Sequence, residues 1–287
     1  MQLASSVLSV EEDELPWQSL QQKRIRTFIP DLDDILGGGV AVGEITEICG
    51  VPGVGKTQLS MHLALCAQYC GASASAESIY IDTEGSFLVP RIVSLAQSMA
   101  IARRDDVPTG TPPLTKEDLL RGITYFRVYD YQEQHDVLVS LSRHLASRPK
   151  VRLVLLDSAA FHCRHAFDEM QGRARALHNM TVVLRKLVCE FPIAVVLVNH
   201  VTTSVGLPGS DSTIVPALGE AWSHAISTRL LLGWEHQTRA VQVVKSISEG
   251  PSMAHFEVTE HGIQPSSRKR SRSPSDGCDD AVSSPMC

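Results

Sequence analysis

The segment from Gly50 to Thr57 carries residue types at a spacing suited to binding phosphate. It matches the pattern GxxxxGK[ST], follows an apolar run and opens a helical pattern. Glycines let successive backbone N–H groups turn towards a phosphate, and the N-terminus of the next helix adds a favourable field. The alternative is a glycine-rich turn that only begins a helix. The residues of this phosphate-binding loop are Gly50, Val51, Pro52, Gly53, Val54, Gly55, Lys56 and Thr57.

The loop predicts ATP and Mg²⁺ as cofactors. Lys56 would reach the β- and γ-phosphates as a positive charge, and the Thr57 hydroxyl would bind the metal. Asp157 directly follows the apolar run 152–156, and the carboxyl ends of parallel strands meet at one edge of a sheet. We therefore predict Asp157 as the second metal ligand, although an Asp after a strand is more often a cap or turn residue.

Glu84 is a candidate general base. It lies in the sequence YIDTEG at 80–85, just past a second apolar run and so on the same edge of the sheet. A carboxylate there can orient and deprotonate the water that attacks ATP. A solvated surface glutamate is the alternative. Lys56 and Glu84 are the predicted catalytic residues.

Alternating apolar and helical segments must position these residues. The pattern predicts an α/β fold, namely a mostly parallel twisted sheet flanked by helices with an antiparallel edge. We place a flexible segment at 1–26, the core at 27–264 and a disordered tail at 265–287. Strands are predicted at 45–49, 78–81, 124–128, 152–156, 193–198, 227–232, 240–244 and 254–258, and helices at 57–69 and 173–190.

Composition narrows the class of protein further. Hydrophobic residues make up 43% of the 287, which suits one large core. No run approaches the roughly 18 apolar residues of a membrane span, and the N-terminus is acidic where a signal peptide is basic. The net charge of −6 predicts that any DNA contact uses local basic groups. Cys49, Cys66 and Cys189 lie in apolar runs and are predicted to be buried thiols in a reducing compartment.

Five sequence motifs occur in a fixed order along the chain. They are LGGGV at 36–40, GEITEICGVPGVGKTQLS at 43–60, YIDTEGSF at 80–87, RLVLLDSAA at 152–160 and PALGEAWSHAISTRL at 216–230. Together they resemble the motifs of the eukaryotic RecA-like recombinases over about residues 27–273, and within them most closely those of the C paralogue of the Rad recombinase group. The resemblance implies a RecA-type P-loop core that binds ATP partly at a subunit junction, with Glu84 as the catalytic glutamate and Arg91 stacked on adenine.

The resemblance adds Gln58, Asn199 and His200 to the expected nucleotide-binding residues. Asn199 and His200 occupy the place of an Asn-Gln pair that senses the γ-phosphate and signals to a DNA-binding loop. Histidine still donates a hydrogen bond, but its charge changes around neutral pH. Whether this departure breaks the coupling between ATP and DNA is open, and a histidine that merely ends a strand is the alternative.

Two segments, at about 161–175 and 201–216, resemble DNA-contacting loops, with ordinary mobile surface loops as the alternative. The second has no aromatic residue for stacking on bases. The first has groups suited to DNA phosphates, which are Arg164, His165, Arg173 and Arg175.

The two ends of the chain predict how the protein binds its partners and where in the cell it acts. Family members carry an N-terminal helical domain and a linker that docks on a neighbouring core, whereas residues 1–26 show neither. We therefore expect partner recognition through the core itself. A basic cluster in the tail predicts nuclear import, and so a nuclear protein with a cytoplasmic fraction, or else a solvated tail. Its residues are Arg268, Lys269, Arg270 and Arg272.

The leading hypothesis is a slow, DNA-dependent ATPase paralogue. It would act in recombination and double-strand break repair with sister paralogues, on single-stranded or junction DNA. A scaffold whose bound ATP stabilises the partner interface is the main alternative. A metabolic kinase leaves the IDTEGSF and PALGE segments unexplained, and a self-sufficient filament conflicts with the missing linker domain.

Overall fold

The fold is built around a large central β-sheet. The computed structural model describes residues 24–70, 75–107, 110–167, 169–204, 213–216, 218 and 222–266. The strands are β1 (Arg24–Ile25), β2 (Val40–Ala41), β3 (Ile45–Gly50), β4 (Glu77–Asp82), β5 (Ile123–Arg127), β6 (Val151–Asp157), β7 (Ala194–Ser204), β8 (Thr213–Pro216), β9 (Thr228–Glu235), β10 (Thr238–Lys245), β11 (Met253–Thr259) and β12 (Gly262–Pro265).

The order of the strands confirms the predicted fold class. It is β12-β11-β10-β9-β3-β7-β6-β4-β5, and β8 pairs with β7 beside this path. Neighbours from β9 to β5 are parallel, whereas β9 to β12 are joined in antiparallel pairs. The chain forms the antiparallel part because no helix separates those four strands.

Helices cover both faces of the sheet. The helices are α1 (Pro30–Ile35), α2 (Lys56–Cys66), α3 (Val89–Ala102), α4 (Lys116–Arg121), α5 (Tyr131–Ser147), α6 (Phe161–Ala166) and α7 (Met170–Glu190). Residues of α1 to α4 belong to one hydrophobic core and residues of α5 to α7 to the other. In β6, Leu153 and Leu155 face the first core while Val154 and Leu156 face the second. This alternation buries the strand on both sides, which explains its unbroken apolar sequence.

The structure shifts several predicted boundaries. The predicted flexible segment 1–26 overlaps β1, since Arg24 and Ile25 pair with β2 and Ile25 is fully buried. The helix predicted at 57–69 ends at Cys66 and continues as a 3₁₀ turn over Ala67–Tyr69. Cys189 is exposed on α7, contrary to prediction, because it lies on the solvent side of that helix. Residues 1–23 and the rest of the tail from 267 lie outside the described residues.

Neither predicted DNA loop is a simple loop. The segment 161–175 contains α6 and the start of α7. The segment 201–216 begins and ends as a pair of antiparallel strands, in which Val201 opposes Pro216. None of the helices in the described part of the chain has the length and apolar character that crossing a membrane requires.

Candidate functional site

The phosphate-binding loop connects β3 to α2 at the carboxyl edge of the sheet. Gly53 and Gly55 have φ angles of +78° and +111°, a region that side chains disfavour. A Cβ atom at Gly50 would lie 2.6 Å from the carbonyl oxygen of Leu232 in the adjacent β9. Glycine at these positions therefore lets the loop turn tightly above the sheet.

Lys56 begins α2 with its ammonium group held at the start of the loop. The side-chain Nζ donates to the carbonyl oxygens of Gly50 (2.9 Å) and Val51 (3.0 Å). Burial lowers the pKa of Lys56, while the carboxylates of Asp157 and Glu84 act in the opposite direction. The positive charge is thus partly desolvated and close to two acidic groups.

Asp157, at the end of β6, is joined directly to the loop. Its Oδ2 accepts hydrogen bonds from the hydroxyls of Thr57 (2.8 Å) and Tyr80 (2.8 Å). Only 2% of the residue is exposed, and burial raises the pKa of its carboxyl to about 6. A buried carboxylate beside a hydroxyl oxygen suits a hard cation such as Mg²⁺. Among the described residues, no cluster of three or more His, Cys, Asp or Glu side chains could hold a metal ion.

We predict that Asp157→Asn stabilises the protein in the absence of metal. The raised pKa means that the folded state binds this proton more tightly than the unfolded state, so wild-type stability falls as pH rises from 3.8 to about 6. Above that range the variant should be more stable by up to about 3 kcal/mol, and near pH 4 the difference should vanish. Chemical denaturation in a chelator at several pH values measures this, with the exposed Asp105→Asn as control. Equal differences at pH 4 and pH 8 would contradict it.

Glu84 faces the same edge from the loop after β4. Its Oε1 accepts a hydrogen bond from the Ser158 hydroxyl and lies 2.8 Å from Nε2 of His200. Hydrogen bonding to His200 is the main reason that the pKa of Glu84 is lowered, with a further contribution from Ser158 and opposition from burial. The side chain is therefore an ionised carboxylate.

Asp82 fixes the loop that carries Glu84. Its Oδ1 accepts from the backbone N–H groups of Glu84 (3.1 Å), Gly85 (2.7 Å) and Ser86 (3.2 Å). Its Oδ2 accepts from the N–H of Phe87 and the hydroxyl of Tyr125. One buried carboxylate thus sets the course of four consecutive residues.

Arg91 forms hydrogen bonds with the first turn of α2 and with the far end of the sheet. Its Nε donates to the Gln58 side chain (2.7 Å), and its other nitrogens donate to the carbonyls of Thr259 and Glu260 (2.7 Å each). The contacts hold the guanidinium plane beside the turn from β11 to β12. Contact with adenine remains a prediction.

The structure brings most of the predicted nucleotide residues to one cavity of about 310 Å³. The lining residues are Pro52, Gly53, Gly55, Lys56, Thr57, Gln58, Glu84, Asp157 and His200. Asn199 is absent from this lining because its side chain is buried on the other side of β7, where it donates to Glu47 (2.8 Å).

The predicted DNA-contacting residues lie away from this cavity on two helices. Arg164 and His165 are in α6, and Arg173 and Arg175 are in the first turns of α7. His165 and Arg175 are exposed, while Arg164 and Arg173 are partly buried. The import cluster Arg268, Lys269, Arg270 and Arg272 lies outside the described residues, so it stays a prediction.

Sequence reasoning missed three residues that support the site. The role of Asp82 could have been predicted from the sequence, since an Asp shortly before Gly often caps a turn through its side chain. Ser158 and Tyr80 gave no such signal, because each acts through a contact with a residue distant in sequence. Their roles depend on the order of strands in the sheet.

The loop, the buried Asp157 and the parallel sheet with its antiparallel edge define a P-loop nucleotide-binding core of the RecA type. The family model described as Rad51 matches residues 20–266. The chain belongs to the Rad51 family.

Its relatives agree with that assignment. The chain is 37% identical to DNA repair protein RAD51 homolog 3 of Cricetulus griseus, over 92% of this chain and 78% of the relative. It is 33% identical to DNA repair protein RAD51 homolog 2 of Homo sapiens (77% and 63%) and 32% identical to the meiotic recombination protein DMC1 homolog of Arabidopsis thaliana (84% and 68%). The predicted resemblance to the C paralogue is thereby confirmed, and these relatives are named as proteins of DNA repair and of meiotic recombination.

Proposed function

We propose that this protein is a slow ATPase that acts with sister paralogues of its family in homologous recombination and DNA repair. One observation carries the ATPase part, namely that a cavity at the phosphate-binding loop is lined by Lys56, Thr57, Glu84 and Asp157. A cation, two oxygen ligands and a carboxylate base are what hydrolysis of a nucleoside triphosphate requires. The names of the relatives support the role in repair.

Each residue has a distinct task in this proposal. The backbone N–H groups of the loop and Lys56 would hold the phosphates, and Thr57 and Asp157 would hold Mg²⁺. Bound Mg²⁺ would neutralise developing charge on the phosphate oxygens. Glu84 would accept a proton from the attacking water, and Arg91 with Gln58 would border the base of the nucleotide. Turnover would be slow because a lone core lacks groups supplied in trans by a neighbour.

The parts of the proposal that concern DNA binding and nuclear localisation rest on the sequence alone. Arg164, His165, Arg173 and Arg175 would contact phosphates of single-stranded or junction DNA, and binding would weaken steeply with salt. The tail cluster would direct the protein to the nucleus. Partners would be sister paralogues held through the core.

The proposal is tested by steady-state ATP hydrolysis with and without single-stranded DNA. The Lys56→Ala variant serves as the blank, and the exposed Lys186→Ala is the matched control. We expect low turnover above the blank, raised by DNA and by a sister core. Fast turnover by the isolated chain would contradict the expected dependence on a partner, and turnover equal to the blank would reject the ATPase.

The scaffold is the second candidate, and one observation favours it. The hydrogen bonds that lower the pKa of Glu84 also make it a weaker base, which suits a nucleotide that is held rather than hydrolysed. In that case Lys56→Ala should disrupt partner assembly, whereas Glu84→Gln should leave it intact. A working ATPase should lose its function with either substitution.

A further inference from the structure

Two hydrogen-bond donors converge on one oxygen of Glu84. The Ser158 hydroxyl donates to Oε1, and Nε2 of His200 lies 2.8 Å from the same atom. In the described part of the chain, no side chain or backbone group donates to Oε2. One carboxylate oxygen is therefore restrained while the other stays free to accept a proton.

In the contact between His200 and Glu84, the proton belongs to His200. The pKa of Glu84 is lowered, so its carboxylate is ionised and can only accept hydrogen bonds. Nε2 must then carry the proton, whether the imidazole ring is neutral or charged.

The sheet fixes the place of His200. Its Cα is paired with that of Gly50, the first residue of the phosphate-binding loop. The preceding side chain, Asn199, is buried on the opposite face of β7. The imidazole is 25% exposed and lines the cavity. Its reach to Glu84 is set by strand pairing and not by a mobile loop.

We propose that His200 is a positioning residue for Glu84, which restrains Oε1 so that Oε2 faces the attacking water. The inference rests on the proposed ATPase function. It differs from the role that the family resemblance gives this position, which is a direct contact with the γ-phosphate. The geometry assigns the side chain to the base and not to the nucleotide.

Kinetics of two variants separate these roles. His200→Ala should lower kcat about ten- to hundredfold with KM for ATP within about twofold, because it removes a hydrogen bond to a charged group. His200→Gln should recover most of kcat, since its amide also donates. The exposed His178→Ala should match the wild type. A rise in KM for His200→Ala with kcat unchanged would overturn the proposal in favour of nucleotide contact.

A second measurement does not depend on hydrolysis. In histidine-labelled protein, ¹H–¹⁵N NMR should show a hydrogen-bonded Nε2–H of His200, assigned by its loss in His200→Gln. The signal should disappear or move to the position of a solvated imidazole in Glu84→Ala, which has no side-chain oxygen to accept the hydrogen bond. An unchanged signal in Glu84→Ala would overturn the proposal even if ATPase activity were present. If the wild type failed to exceed the Lys56→Ala blank, the ATPase would be rejected and this spectrum would still decide the contact.

Discussion

Replacing Glu84 by glutamine is expected to slow ATP hydrolysis by at least about 100-fold, because general base catalysis typically contributes 10²–10⁴-fold. The amide has the size of the carboxylate and can keep one hydrogen bond from Ser158 or His200. It cannot take a proton from water. ATP binding should be nearly unchanged, since the phosphate contacts come from the loop and Lys56. Single-turnover hydrolysis and binding of a fluorescent ATP analogue measure the two effects separately.

The control for this prediction is Glu190→Gln, an exposed glutamate at the end of α7. It should hydrolyse ATP at the wild-type rate. A Glu84→Gln variant that retained more than half of the wild-type rate would remove Glu84 from the mechanism. A variant that lost ATP binding together with hydrolysis would show a structural role for the side chain instead.

Replacing Glu47 by alanine is expected to lower the free energy of unfolding by about 3–5 kcal/mol, the usual cost of breaking a buried ion pair. Glu47 is fully buried in β3 and forms an ion pair with Arg229 of β9. Its Oε1 also accepts from Asn199 (2.8 Å) and from Nε1 of Trp222 (2.7 Å). Alanine would leave a buried guanidinium and two buried N–H donors without these partners. Urea denaturation followed by circular dichroism measures the change.

A surface pair provides the matched control for Glu47. Glu190 lies 3.8 Å from Lys186 on the exposed side of α7. Glu190→Ala should change the free energy of unfolding by less than about 0.5 kcal/mol, because exposed pairs contribute little. A loss below about 1 kcal/mol in Glu47→Ala would mean that the pair contributes far less than burial implies.

The local sequence pattern was sufficient to predict the fold class and the phosphate-binding centre of the nucleotide site. The strand at 152–156 was predictable because it is apolar on both faces and lies between two layers of helices. The strand at 45–49 was predictable because most of its residues are apolar and it leads directly into the glycine-rich loop. The loop at 50–57 was predictable because its glycines and lysine are required at fixed spacing. These features depend on neighbours in sequence, and so the sequence alone displays them.

The contacts of Glu84 and the helices near 161–175 were not predictable in the same way. His200 meets Glu84 across 116 residues because β7, β6 and β4 are adjacent in the sheet. The family resemblance predicted a DNA-contacting loop at 161–175. Cys163 within that segment and Ala176 directly after it are buried, so α6 and α7 have an apolar side that packs against the core.

The hydrogen bonds of Glu47 also affect which parts of the sequence can change in length. Asn199 and Trp222 flank residues 200–221 in the sequence, and both donate to the same carboxylate oxygen. Their shared partner therefore holds the two ends of that stretch close together. Doubling the length of such a closed segment adds only about 0.6 kcal/mol of closure entropy. Insertions and deletions between β7 and β8 should therefore cost the core little stability, because His200 and the other residues of the nucleotide pocket lie outside that part of the sequence.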